Sequence, residues 1–176
     1  MVSKILDTTD DRLRKKSAEV KKIDKKIKGL IQDLKDTLSD QKDPEGVGLA
    51  APQIGKNVRI FLINYENEIR VVINPKVLNI SKDKKTKRKG KKKEILEGCL
   101  SLPHYYGSLE RAQSIEISYL NEEEKIVKKK FTGFMAQIIQ HEIDHLNGIL
   151  FIDHILEQKS PLYKVVGDEW EEVELH

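Results

Sequence analysis

Residues 140–145 read QHEIDH. On an α-helix, residues four apart lie on one face, so His141 and His145 can hold one metal ion between them. Glu142 sits one residue off that face, where it can reach a metal-coordinated water without ligating the metal. The apolar neighbours point to burial. Phe134, Met135, Ile138, Ile139, Ile143 and Leu146 spread over most of a helix circumference. Two buried imidazoles beside a buried acid need partners, and a metal supplies them. The competing account, incidental histidines on a solvated helix, leaves that apolar distribution unexplained.

Two histidines do not complete a site. In one class of zinc protease a third histidine follows the second by six residues, after a glycine; here Gly148 fits but the third-histidine position is Phe151. In another class a glutamate from a later helix serves, but the acids after residue 156 fall in a tail that reads as strand. Cys99, in EGCLS (97–101), is a further candidate. A lone cysteine is commonly a small buried apolar residue, and that account stays open. Its setting favours a ligand: Gly98 lets the backbone approach closely, and Glu97 and Ser101 are polar groups able to orient a site. A thiolate with two imidazoles leaves a fourth position open for water, as a catalytic centre requires. A third stretch, GVGLAAPQ (46–53), reads either as a flexible glycine turn or as a place where a substrate backbone passes close to the chain. Gln53 there can donate hydrogen bonds to a developing oxyanion.

Elements must bring these stretches together. In DKKIKGLIQDLKDTLSD, Ile27, Leu30, Ile31, Leu34 and Leu38 recur at helical spacing, with Asp24 available as N-cap. Pro44 and the glycines of PEGVGLAAPQIG break the pattern and predict an ordered loop or turn. The β-branched runs VRIFLINY and IRVVINP, joined by ENE, predict one hairpin, and SIEISYL with KIVKKKF around NEEE a second. FMAQIIQHEIDHLNG returns to helical spacing, with Asn147 and Gly148 as its stop, and LYKVVGDEWEEVEL reads as a strand or two. The fold class expected is α+β: antiparallel β-sheets packed around a central metal-binding helix, with an N-terminal amphipathic helix and a C-terminal strand.

At 176 residues and 38% hydrophobic, the chain is long enough for one domain with a proper core. It has no apolar run of membrane-spanning length, no apolar region in MVSKILDTTD resembling a signal peptide, and a single cysteine. A cytoplasmic protein without membrane partners is expected. The net charge of +3 hides an asymmetry, because KDKKTKRKGKKK (82–93) alone carries +8 and the rest of the chain −5. This run is expected to be a surface insertion.

GVGLAAPQ, EGCLS and QHEIDH, in that order, resemble the three signature motifs of the peptide deformylases. RLRKKSAEV, VINP and HLNGILFID extend the resemblance over most of the chain. It implies a hydrolase that removes the formyl group from N-formylmethionine of newly made proteins, in bacteria and organelles. It implies Cys99, His141 and His145 as ligands of one divalent metal, most often Fe(II), with zinc, nickel or cobalt as substitutes. Glu142 would move the proton from water to the leaving amine, and the Gln53 amide and Leu100 N–H would hold the oxyanion. Gly48 would offer backbone hydrogen bonds to the substrate. Phe134 and Ile138 lie seven and three residues before His141 on its helix face. With Val47 and Ile95 they could wall a slot for an unbranched methionine side chain, although Ile95 serves equally well as ordinary core.

The chain departs from the family's pattern twice. Many bacterial relatives carry an arginine seven residues after the cysteine, where this chain has Tyr106, which affects contacts to the extended peptide. Some relatives end in a basic helix that docks on the ribosome, whereas this tail, GDEWEEVELH, is acidic. Any ribosome contact would then fall to the Lys-rich run. Two alternative functions remain at this stage: an HExxH zinc endopeptidase, and a non-enzymatic nucleic-acid-binding module using that run. EGCLS and the missing downstream ligand argue against the first, and the absence of interleaved aromatics against the second.

Overall fold

The computed structural model describes residues 1–66, 68–83 and 96–175. Ile95 and most of the Lys-rich run (84–93) therefore lie outside the described residues, and only Lys82 and Asp83 of that run, both exposed, are described.

Helix α1 (Lys25–Asp40) starts where the sequence places it, with the Asp24 carboxylate accepting from the Ile27 N–H at 3.0 Å. Next come strands β1 (Gly48–Ala50), β2 (Ile60–Tyr65), β3 (Glu68–Ile80), β4 (Glu97–Cys99), β5 (Leu102–Gly107), β6 (Ser114–Leu120) and β7 (Ile126–Thr132). Helices α2 (Gly133–Leu146) and α3 (Phe151–Gln158) and strands β8 (Leu162–Val166) and β9 (Glu169–Val173) complete the chain. All strand pairings within the two sheets are antiparallel. One sheet has the order β1-β2-β3-β6-β7, the other β4-β5-β8-β9. The expected class is found, with both hairpins, β2–β3 and β6–β7, in place. No described helix is long and apolar enough to cross a membrane.

The five-stranded sheet is covered on both faces, which explains why β2 is apolar at successive rather than alternate positions. Ile60 and Leu62 pack with Ile31, Leu34 and Leu38 of α1. Phe61 and Ile63 pack with Ala136, Ile139, Ile143 and Leu146 of α2. Helix α2 is thus held against the sheet as a buried helix, with solvent excluded from nearly all of its length.

Three local readings need correction. GVGLAAPQ is not simply a turn: Gly48–Ala50 forms β1, which pairs with β2, and Ala51–Ile54 forms a 3-10 turn. Strand β3 runs past Pro75, bridging to β6 through shifted register, so VINP does not end it. The acids after residue 156 are not all in strand, because Glu157 lies in a helix. Phe151–Gln158 is helical, capped by Asp153, whose carboxylate accepts from the Leu150 N–H at 2.8 Å, and Phe151 and Ile155 are buried against Cys99 and Leu162.

Candidate metal centre and active-site cleft

Three separate elements meet at one point. Strand β4 brings Cys99, the 3-10 turn after β1 brings Gln53, and α2 brings His141, Glu142 and His145. Cys99 Sγ lies 3.3 Å from His145 Nε2, which lies 3.2 Å from His141 Nε2. The three ligand atoms all fall within 4.8 Å of one another, the one such group found among the described residues. A tetrahedral centre with bonds of about 2.1–2.3 Å separates its ligand atoms by roughly 3.5 Å, so the donor set fits a metal in both chemistry and spacing. Burial works against a thiolate, but the charges of His145 and His141 outweigh it and hold the Cys99 thiol well below its ordinary value. The ligating form is the favoured one.

The groups behind the ligands fix their orientation. Glu97 accepts from His141 Nδ1 at 2.8 Å, which leaves Nε2 facing the centre. Glu97 is itself held by Arg111, at 2.5 and 3.0 Å, and by the Gln137 amide at 3.2 Å. Arg111 also reaches Asp144 at 2.6 Å, and Asp144 pairs with His154 at 2.8 Å. Burial alone would raise the Glu97 carboxyl; the His141 bond and the Arg111 charge override it and push it far below the usual range. Sequence reasoning gave Glu97 an orienting role but missed Arg111, Gln137, Asp144 and His154. Arg111 lies 14 residues from Glu97 and 33 from Asp144, so no local spacing marks it.

Gln53 is fully buried. Its side-chain oxygen accepts from the Ala50 N–H at 2.8 Å, so its amide nitrogen points inward, 3.7 Å from Cys99 Sγ and 3.2 Å from Ser101 Oγ. Glu142 is also buried, and its Oε2 has no hydrogen-bond partner among the described residues. An orphaned carboxylate oxygen at such a place is suited to accept from a water. Burial, only partly offset by the two histidines, raises the Glu142 carboxyl to about 7.

These groups open onto a cleft of about 400 Å³ lined by Val47, Gly48, Leu100, Phe134, Ile138 and Glu142, among others. Val47, Phe134 and Ile138 all line it and belong to one apolar cluster, and Leu100 stands in the turn after β4. Ile95 falls outside the described residues. Phe151 packs against Cys99 in an apolar cluster instead of presenting a ligand.

Gly48 has a steric role as well. A Cβ built on it would stand 2.2 Å from Glu142 Oε1 and 2.9 Å from its Cδ. Only glycine leaves room for the carboxylate. Gly48→Ala should therefore keep its metal and fold while losing about 10²-fold in kcat, the scale of an ångström-sized displacement of a reacting group. Metal content and steady-state kinetics of the purified variant check this; unchanged turnover would mean the carboxylate position is not critical.

Comparison with known proteins agrees with this geometry. The family described as Polypeptide deformylase matches residues 2–161. The chain is 41% identical over 156 residues to the peptide deformylase of Pseudothermotoga lettingae, covering 88% of this chain and 84% of that one. It is 42% identical over 159 residues to peptide deformylase 2 of Clostridium perfringens, covering 89% and 94%. The crystal structure of the Thermotoga maritima peptide deformylase superposes with a TM-score of 0.78 at 35% identity, covering 88% of this chain and 97% of that one.

Proposed function

The chain belongs to the peptide deformylase family, and on that premise we propose how its own residues carry out the reaction. The protein is a metal-dependent hydrolase that removes the N-formyl group from newly synthesised proteins and releases formate. Its endopeptidase and nucleic-acid-binding alternatives have no support among the relatives. The observation that carries the assignment of roles is the convergence of Cys99, His141 and His145 beside a buried carboxylate whose Oε2 has no partner.

Cys99, His141 and His145 hold the metal. When bound, a divalent ion supplies Lewis acidity, polarising the formyl carbonyl and making water a nucleophile at neutral pH. Glu142 takes the proton from the attacking water and passes it to the departing amine nitrogen. The inward-facing Gln53 amide and the Leu100 N–H donate to the oxyanion as the carbonyl becomes tetrahedral. Gly48 leaves space for Glu142 and offers backbone hydrogen bonds to the peptide. Val47, Phe134 and Ile138 enclose the methionine side chain.

The resident metal is Fe(II), with zinc, nickel or cobalt able to replace it. A thiolate beside two imidazoles accepts any of these ions, and a reducing cytoplasm protects the thiolate and the iron from oxidation. Residues 1–176 act as one catalytic domain. Metal analysis after anaerobic purification, paired with formate release, tests the metal: iron near one equivalent with the highest turnover is expected, and an inactive iron form would reject it.

The +8 run at 82–93 takes no part in the chemistry and steers the enzyme towards ribosomal RNA. Phosphate contacts of this kind release counterions and weaken steeply with salt. Replacing the run with a short Gly/Ser linker should leave formate release from a small formyl-Met peptide nearly unchanged and lower co-sedimentation with ribosomes at low salt. Unchanged ribosome binding would reject the docking role, and collapsed small-peptide activity would show that the run shapes the site.

A further inference from the structure

The cleft continues outward from Cys99 past Gly98 to Tyr105 and Tyr106, with Asp43 and Glu45 also on its lining. Tyr106 is held from several sides. It pairs with Gly98 across β4–β5 and with Tyr163 across β5–β8. Its ring lies over Gly98, where a Cβ would meet ring carbons at 2.8 Å. The same ring packs against Trp170, centroids 5.3 Å apart, and Trp170 also meets Tyr163 at 6.5 Å. Trp170 belongs to β9, in the β8–β9 hairpin, which lies beyond residues 2–161 that match the family. A segment beyond the residues that the family model matches therefore braces a residue on the wall of the cleft.

Lys164 Nζ lies over the Tyr105 ring at 5.6 Å, yet the side chains of the described lining residues themselves carry acids and neither Lys nor Arg. Asp43 and Glu45 are exposed carboxylates. Burial, helped by the charge of Asp43, raises the Tyr106 phenol above its ordinary value. The ring is thus a neutral aromatic face whose quadrupole attracts a cation, close to at least one carboxylate that does the same.

We propose that the C-terminal hairpin is part of the substrate groove: Trp170 fixes Tyr106 as the outer wall, and Tyr106 with Asp43 and Glu45 favours a Lys or Arg side chain on the residue after formyl-methionine. Tyr106 determines specificity, and Trp170 is a positioning residue acting through it. A long cationic side chain lays its aliphatic stem along the ring and its charge towards the carboxylates, while an acidic one meets like charge in the same place.

The inference rests on the deformylase activity, and its test separates the two. Formate release is measured for the metal-loaded full chain on three short peptides that differ only in having Lys, Ala or Glu after formyl-Met. Attraction and repulsion at a wet rim, each worth a few-fold, should give a kcat/KM for Lys about tenfold above that for Glu, with Ala between, and the ratio should shrink at high salt. Asp43→Asn combined with Glu45→Gln should bring the ratio to within about twofold. Trp170→Ala should lower it chiefly through KM, and Trp170→Phe should restore it, which a merely structural role for Trp170 would not require. Equal rates on the Lys and Glu peptides would overturn the proposal, as would a ratio indifferent to Trp170→Ala. No formate from any of the three would instead refute the activity itself.

Discussion

Glu142→Ala should yield a folded protein that keeps its metal and loses formate release by about 10²–10⁴-fold or more. The magnitude follows from the loss of a proton-transfer group, whose contribution is typically of that order. Retention of the metal follows from geometry, since the donor atoms gathered at the centre come from Cys99, His141 and His145, and Glu142 is not among them. The substitution removes a buried carboxylate oxygen that has no partner to strand, so the fold has little to lose. Metal analysis and turnover on the same preparation check both halves. A loss of only about tenfold would point to another base, and loss of the metal would show Glu142 to be a ligand.

Cys99→Ser should lose most of its metal and, with it, most activity. A serine hydroxyl at this buried site stays neutral, so the two imidazoles would be left to hold a dication without the anionic donor that the thiolate supplies. The folded protein should then no longer gain stability from the ion, and a chelator that lowers the melting temperature of the parent should barely shift that of the variant. Stoichiometric metal with near-normal turnover in Cys99→Ser would remove the cysteine from the ligand set.

What could be read from the sequence was what is encoded locally. Helix α1 shows its apolar stripe and its Asp24 cap, and the two hairpins of the large sheet are β-branched runs around short polar links. Helix α2 carries both its period and its chemistry in one stretch. Other elements owe their existence to tertiary contacts. Helix α3 has eight residues, too few for propensity to mark it, and it is held by the burial of Phe151 and Ile155. Strand β4 is three residues long and β5 opens with Leu-Pro-His; only their mutual pairing and the attachment of β8 make them a sheet.

The site divides in the same way. Its reacting groups sit in three short stretches, each with a recognisable chemistry. The groups that hold them do not: Arg111 reaches Glu97 and Asp144, 14 and 33 residues away along the chain, and Trp170 reaches Tyr106 from a strand much later in the sequence. Such contacts are set by the assembled sheets and leave no period in the sequence.

The central claim is that this centre hydrolyses the formamide bond at a peptide's N-terminus and not a bond within it. The most direct measurement incubates the metal-loaded enzyme with a formyl-Met peptide and resolves the products by mass spectrometry alongside a formate assay. The account predicts formate in equal amount to a full-length peptide with a free methionine amine, and intact internal bonds. Internal fragments that keep the formyl group, or a metal-loaded enzyme that releases no formate, would contradict it.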